Sequence, residues 1–178
     1  LQSFMRELEA RECQLGTSFS FADCALGNCF LIGAYLQTGR CWNSTLRALE
    51  AILGTRGRVE LASVENRYLF GVCNDGRLLT SEYAVITEAE GDIVELFLSQ
   101  TPVKSAELEQ WLAELGVEAA VERIRREVHS VPAPNPVALR ALAEADVVVY
   151  GPGTFHSSLL PTLMIDGVPA AISQCGAT

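Results

Sequence analysis

Hydrophobic and polar positions change period several times along the chain, and each change marks an element. Leu1–Cys13 places Phe4, Met5 and Leu8 at helical spacing, and Gly16-Thr17-Ser18 breaks it. Ala22–Leu36 is apolar nearly all round, which predicts a helix inside the domain, closed by Gly39. Asn43-Ser44-Thr45 offers N-caps for a helix over Leu46–Leu53, ended by Gly54. A strand region opens at Arg56–Leu61. Tyr68–Cys73 and Arg77–Ser81 flank Asn74-Asp75-Gly76, a hairpin signal because Asp-Gly suits a turn with positive φ. Tyr83–Thr87 and Asp92–Leu98 predict a second hairpin across Glu90-Gly91, ended by Pro102. Ser105–Leu115 has Leu108, Trp111, Leu112 and Leu115 on one side and charge on the other, the pattern of an amphipathic helix stopped by Gly116. Glu118–Glu127 fits either helix or strand. Val128–Val131 reads as a strand, with His129 as a half-exposed strand residue rather than a catalytic base.

The stretch Glu144–Pro161 organises the remainder. Asn135 is a good N-cap and Pro136 fits the first helical position, so a helix over Val137–Ala145 leads into it. Val147-Val148-Val149-Tyr150 is a short unbroken apolar run rich in β-branched residues, the composition of a central parallel strand buried on both faces. Gly151-Pro152-Gly153 breaks the run, and Thr154, Ser157 and Ser158 follow. A helix starting there presents free N–H groups and a positive dipole end, which is how phosphate is commonly held. A plain strand-to-helix connection with a hydroxyl N-cap explains the same residues. Leu159–Ile165 reads as helix, with Pro161 tolerable only near its first turn or at a kink. After the Asp166-Gly167 turn, Val168–Ile172 reads as the next strand. Helix, strand, helix, strand in this order predicts a parallel sheet with right-handed crossovers and a ligand at the strands' carboxyl ends.

Composition narrows the function classes. With 178 residues, 49% hydrophobic and 20% charged, the chain is long enough for one domain with a sizeable core. A net charge of −9 argues against non-specific nucleic-acid binding, and the apolar runs fall short of a membrane span. Six cysteines show neither Cys-x-x-Cys pairs nor zinc-finger spacing with His129 or His156, so they read as reduced, mostly buried thiols of a cytoplasmic protein. Gly27-Asn28 interrupts the apolar Ala22–Leu36 segment. A close helix crossing with one satisfied amide explains it, and so does a ligand contact. The abrupt start at Leu1, without a methionine or a cap, reads as a piece of a longer chain.

Four segments, in order, resemble the CofD/YvcK family, which contains the 2-phospholactate transferases of deazaflavin-coenzyme synthesis and the YvcK-type proteins linked to gluconeogenesis and cell-wall precursors. They are Leu26-Gly27-Asn28-Cys29-Phe30-Leu31, Thr55–Leu61, the Asn74-Asp75-Gly76 hairpin with Glu82, and Ala145–Leu163 with its Gly-Pro-Gly-Thr loop. The last is the most specific. The resemblance implies a single CofD-like α/β domain over residues 1–178, with a three-layer Rossmann-like fold, a mainly parallel sheet and a β-hairpin insertion. Residues 86–122 read as the insertion. Two departures stand out: the family's opening strand and glycine-rich nucleotide loop have no counterpart here, and the family continues past the strand ending near Ile172. Gly27-Asn28-Cys29-Phe30 lacks the acidic and basic cluster of the transferases, and Gly151-Pro152-Gly153-Thr154-Phe155 differs from their Gly-Pro-Ser-Asn-Pro, so the resemblance is closer to the YvcK-type branch.

That branch implies a nucleotide diphosphate compound, a nucleotide sugar, as ligand and a regulatory rather than catalytic role. The implied ligand-binding residues are Gly27, Asn28, Gly151, Pro152, Gly153, Thr154, His156, Ser157 and Ser158. His156 either bonds a phosphate or fills a position often aromatic in the family. Arg56, Arg58 and Arg125 are candidate cations. The alternative is a Mg²⁺-dependent transferase moving a 2-phospholactate or phosphoenolpyruvate group from a GDP-activated donor to a deazaflavin alcohol. For that chemistry Asp23 and Glu82 are the nearest carboxylates, and both read rather as solvated or capping groups. No catalytic residue and no metal-ligand set is assigned. A third reading is an interaction domain that kept the fold and lost the site. The expected partner is a small phosphorylated molecule, with a second copy of the chain as the candidate macromolecular one, and neither nucleic acid nor membrane.

Overall fold

Helices make up the first unit of the chain, Leu1–Leu61, in a computed structural model that describes residues 1–21, 24–87 and 92–177. They are α1 (Gln2–Leu15), α2 (Leu26–Gln37) and α3 (Trp42–Leu53). Gly16 and Gly54 end α1 and α3 in the left-handed conformation, at φ 66° and 63°, as the sequence predicts. The close approach of α1 and α2 is made at Gly33, where an added Cβ would lie 3.2 Å from the Leu1 nitrogen and 3.7 Å from Phe4 Cβ. Edge-to-face contacts among Phe4, Phe19 and Phe21, and the Tyr35 ring stacked on Trp42 at 4.3 Å, supply aromatic packing. Fully buried Thr45 donates to the Cys41 carbonyl at 2.8 Å and shares a 2.6 Å hydroxyl bond with Thr38. Two expectations fail here. Of α2 only Cys29 and Gly33 are buried, while Leu26 and Phe30 stand more than half exposed, so the helix does not sit inside a core. Arg56–Leu61 forms no strand and runs as irregular chain.

The second unit, Ala62–Thr178, carries the sheet. Strands β1 (Tyr68–Cys73), β2 (Leu78–Leu79) and β3 (Ile93–Ser99) lie in the order β2-β1-β3, antiparallel throughout. The β1–β2 turn is the predicted Asn74-Asp75-Gly76, with Gly76 at φ 82°. Both faces of β1 are covered, so its alternation of polar and apolar residues disappears. On one face Phe70 and Val72 meet Phe97, with the two rings stacked at 5.3 Å, under helices α5 (Ser105–Leu115) and α6 (Val117–Glu127). On the other, Cys73, Leu79 and Leu96 meet Val85 of α4 (Glu82–Thr87), with Leu160 and Met164 packed alongside. Trp111 and Ile124 join α5 to α6 over the sheet, and the Arg123 guanidinium lies 4.0 Å from the Trp111 ring. The stretch 86–122 thus supplies β3, α5 and the start of α6 to this core.

Beyond α6, Asn135 caps α7 (Pro136–Ala143), accepting from the Val137 N–H at 3.1 Å with Pro136 in the first turn, as predicted. A π-helical turn, Phe155–Leu159, runs into α8 (Leu160–Leu163), where Pro161 occupies the first turn, and α9 (Val168–Gln174) follows.

Four predicted strands are corrected. Tyr83–Thr87 lies within α4, and Val168–Ile172 lies within α9, which starts after Gly167 at φ 74° with Pro169 in its first turn. Val128–Val131 is irregular, but Ser130 donates its N–H to the Leu98 carbonyl at 2.8 Å and so borrows one bond from the edge of β3. Val147–Tyr150 is the largest departure. It is neither paired nor buried: Val147 is 61% exposed, Val149 81% and Tyr150 57%. A β-branched run becomes a strand only when a neighbour supplies the ladder, and no described strand lies beside this one. Among the described residues the sheet is therefore small and antiparallel, and the expected parallel, three-layer Rossmann-like arrangement is not built within them. The second predicted hairpin's turn, Glu90-Gly91, lies outside the described residues.

Candidate functional site

Gly153 lets the 151–158 loop fold tightly on itself. A Cβ there would lie 3.1 Å from Ser158 Cβ and 3.3 Å from Ser158 Oγ, whereas a Cβ on Gly151 would meet nothing within 4 Å. Thr154 sits at the junction. Its carbonyl accepts from the Ser158 N–H at 3.0 Å and its hydroxyl bonds that of Ser157 and, at 3.4 Å, that of Ser158. No backbone acceptor among the described residues meets the N–H groups of Phe155, His156 or Ser157. Three hydroxyls and the start of a helical run therefore converge within five residues, a donor set that suits a phosphate or other oxyanion.

Ser157 is the buried member, at 9% exposure, and lines a cleft of about 350 Å³. Across it lie Ser63, Arg67 and Glu82, with Leu98, Pro132 and Ile165 among the apolar walls. Arg67, with a side chain only 13% exposed, is locked in place. It donates to the Ser130 carbonyl at 3.1 Å, to the Asn66 carbonyl at 2.8 Å and to Glu65 at 2.6 Å. Glu65 also accepts from the Ala133 N–H at 3.0 Å, and Asn135 N–H donates to the Ala62 carbonyl at 2.7 Å. These bonds tie residues 62–67 to residues 130–135 and form one wall.

The other expected site residues fall as follows. Gly151, Pro152, Gly153, Thr154, His156 and Ser158 are exposed on the loop, with His156 edge-on to Phe155 at 5.3 Å. Gly27 and Asn28 lie exposed in the first turn of α2, in the first unit. A Cβ on Gly27 would meet nothing within 4 Å, so the close crossing that could have explained this glycine occurs at Gly33 instead. Arg125 is committed elsewhere, paired with Glu95 and Glu122. Arg56 and Arg58 are exposed in the first unit. Asp23 lies outside the described residues. Among the described residues no three His, Cys, Asp or Glu side chains converge, so they do not by themselves offer a metal centre and no step is assigned to Mg²⁺.

The sequence gives no warning of Arg67 or Glu65, because an isolated Glu-x-Arg carries no periodicity. A larger cleft, about 560 Å³, lies between the β3–α5 connection and the end of α6, lined by Lys104, Trp111 and His129 among others. It holds none of the hydroxyl or glycine groups above. His129 is half-buried there. Its Nδ1 accepts the Leu98 N–H at 3.1 Å, its ring is edge-on to Phe97, and burial pushes its pKa below the ordinary histidine value against the nearby Glu95.

Comparison with known proteins gives the family. The family model described as 2-phospho-L-lactate transferase CofD matches residues 13–178. The gluconeogenesis factor of Halalkalibacterium halodurans is 29% identical over 150 residues, covering 84% of this chain and 37% of that protein. A putative gluconeogenesis factor of Thermotoga maritima is 25% identical over 155 residues, covering 87% and 39%. The crystal structure of protein BH3568 from Bacillus halodurans, also described as a member of the UPF0052 family, superposes with a TM-score of 0.60 at 28% identity, over 86% of this chain and 39% of that one. The chain spans about two-fifths of the length of these relatives. With a match across residues 13–178, the chain belongs to the CofD family.

Proposed function

We propose that this chain is the gluconeogenesis-factor type of CofD domain and binds a nucleotide diphosphate compound, a nucleotide sugar, in a regulatory role in central carbon or cell-wall metabolism. The observation that carries the reading is the 151–158 loop. Gly153 is fitted against Ser158, and the hydroxyls of Thr154, Ser157 and Ser158 gather at the start of a helical run beside the cleft. Phosphate oxygens would accept from these hydroxyls and from the N–H groups of residues 155–157. In the first unit, Gly27 and Asn28 are kept as ligand-binding residues, because packing does not explain the glycine. The names of the relatives favour the regulatory branch. The six cysteines of the chain are all free, which fits the reducing cytoplasm.

Calorimetry on the longest natural version of the chain tests this, with UDP-sugars, GDP, GMP and NAD, each with and without Mg²⁺. UDP-sugar binding without turnover is the expected result. Absence of binding to every nucleotide overturns the reading and favours an interaction domain.

The family model's description favours one second reading, a transferase moving a 2-phospholactate-type group from a GDP-activated donor to a deazaflavin alcohol. Release of GMP in the presence of Mg²⁺ and the acceptor alcohol would establish it. Silence under those conditions would remove it.

A further inference from the structure

Cys24 and Cys29 stand on either side of the Gly27-Asn28 pair, and the fold brings their sulfurs to 3.4 Å. Cys24 is half-buried just before α2, and Cys29 is buried in the helix's first turns. Disulfide sulfurs lie about 2.05 Å apart, so roughly 1.4 Å of closure separates this contact from a bond. The chain between them can absorb that closure. Ala25 is extended, at φ −64° and ψ 134°, outside the helix proper, and no neighbour comes within 4 Å of a Cβ position on Gly27. A four-residue spacing is not the familiar redox motif, and the sequence gives no sign that these two of its six cysteines meet.

We propose that Cys24 and Cys29 form a reversible disulfide, closed by a peroxide oxidant, that encloses Gly27 and Asn28 and weakens ligand binding there. One thiolate attacks the peroxide O–O bond, giving a sulfenic acid and, after proton uptake by the leaving oxygen, water. The second sulfur then attacks the sulfenic sulfur, forming the S–S bond and expelling a second water. Two thiols lose two protons and two electrons, and one peroxide is reduced to two waters. The hydrogen bond with Cys29, together with burial, pushes the Cys24 thiol up, so closure speeds up as pH rises through the thiol range. The bond itself depends only on the cysteine geometry. Its consequence for binding rests on the assignment of Gly27 and Asn28 to the ligand.

The test uses the longest natural chain treated with hydrogen peroxide and then digested with chymotrypsin. Cleavage after Leu26 separates the two cysteines, so peptides joined across that cut report the bond directly. Linked peptides, two thiols lost, full reversal by dithiothreitol and failure in Cys24→Ser and Cys29→Ser are expected. Absence of the linked pair, or its persistence in either serine variant, overturns the proposal. UDP-glucose is the binding probe: the oxidised form should bind about fivefold or more weakly. Equal affinities in the two forms overturn the effect on binding. If neither form binds, the nucleotide-sugar reading fails and the linked peptides still decide the bond.

Discussion

Gly153 and Ser158 touch across the candidate loop, with 3.1 Å between the position a Cβ would take on residue 153 and the Cβ of Ser158. Gly153→Val should push the two apart and disturb the Thr154–Ser158 hydrogen bonds, lowering nucleotide-sugar affinity by about tenfold or more, or roughly 1.4 kcal/mol. Gly151→Ala has open space around it, so it should leave the loop's own packing intact and lose less affinity than Gly153→Val. Calorimetry on both variants checks this, and equal losses would remove the special role of Gly153.

Two other glycines should respond in opposite ways. A Cβ on Gly71 would sit 2.7 Å from Leu96 Cδ2 between two covered strands, so Gly71→Ala should destabilise by about 1–3 kcal/mol in urea unfolding. Gly27 lies in the first turn of α2 with nothing around it, so Gly27→Ala should be neutral or stabilising by up to about 1 kcal/mol. If Gly27 serves the ligand, that same variant loses affinity while gaining stability, a split that a packing role cannot produce.

Asn135 is 3% exposed and caps α7 through its side chain while its N–H holds the Ala62 carbonyl at 2.7 Å. Asn135→Ala should cost about 1–2 kcal/mol, and Asn135→Asp, which keeps the accepting oxygen, should recover most of it. Denaturant midpoints of the three proteins measure the difference.

His129 holds the end of α6 to β3 only while its Nδ1 is unprotonated, since that atom accepts the Leu98 N–H. Its folded-state pKa is lowered, chiefly by burial. The unfolded chain therefore binds the proton first. The stability this histidine contributes is complete above its unfolded pKa near 6.5 and falls as pH drops from there to the folded value. The Glu95 carboxylate opposes this lowering and the Arg125 guanidinium adds to it. Unfolding free energies between pH 7.5 and 5 should show this loss, and His129→Asn, which offers an uncharged acceptor, should flatten that part of the profile.

Local chemistry written in consecutive residues is legible from the sequence alone. Glycines after periodic runs stop α1, α3 and α5, Asn74-Asp75-Gly76 turns β1 into β2, and Asn135-Pro136 opens α7. Each depends on groups a few residues apart, so no distant partner is required. The glycine and hydroxyl residues of the 151–158 loop belong to the same class. Their cleft partners do not: Arg67 and Glu65 reach it through bonds to Ser130 and Ala133, more than sixty residues away.

By itself, then, the sequence determined where helices stop, where the tight turn falls, and which loop gathers glycines and hydroxyls, because short-range capping and φ preferences settle those. Tertiary structure decided what the short apolar runs become. Val147–Tyr150 and Val168–Ile172 both read as strands, though Pro169, Ala170 and Ala171 make the second the weaker β-former. The second starts after a glycine with a first-turn proline and packs as α9, while the first lies unpaired and exposed with no described strand beside it. A strand takes its hydrogen bonds from another segment and a helix takes them from itself, so whether Val147–Tyr150 pairs depends on the arrangement of the whole chain. The same holds for Cys24 and Cys29, whose contact depends on how α2 begins rather than on any spacing rule.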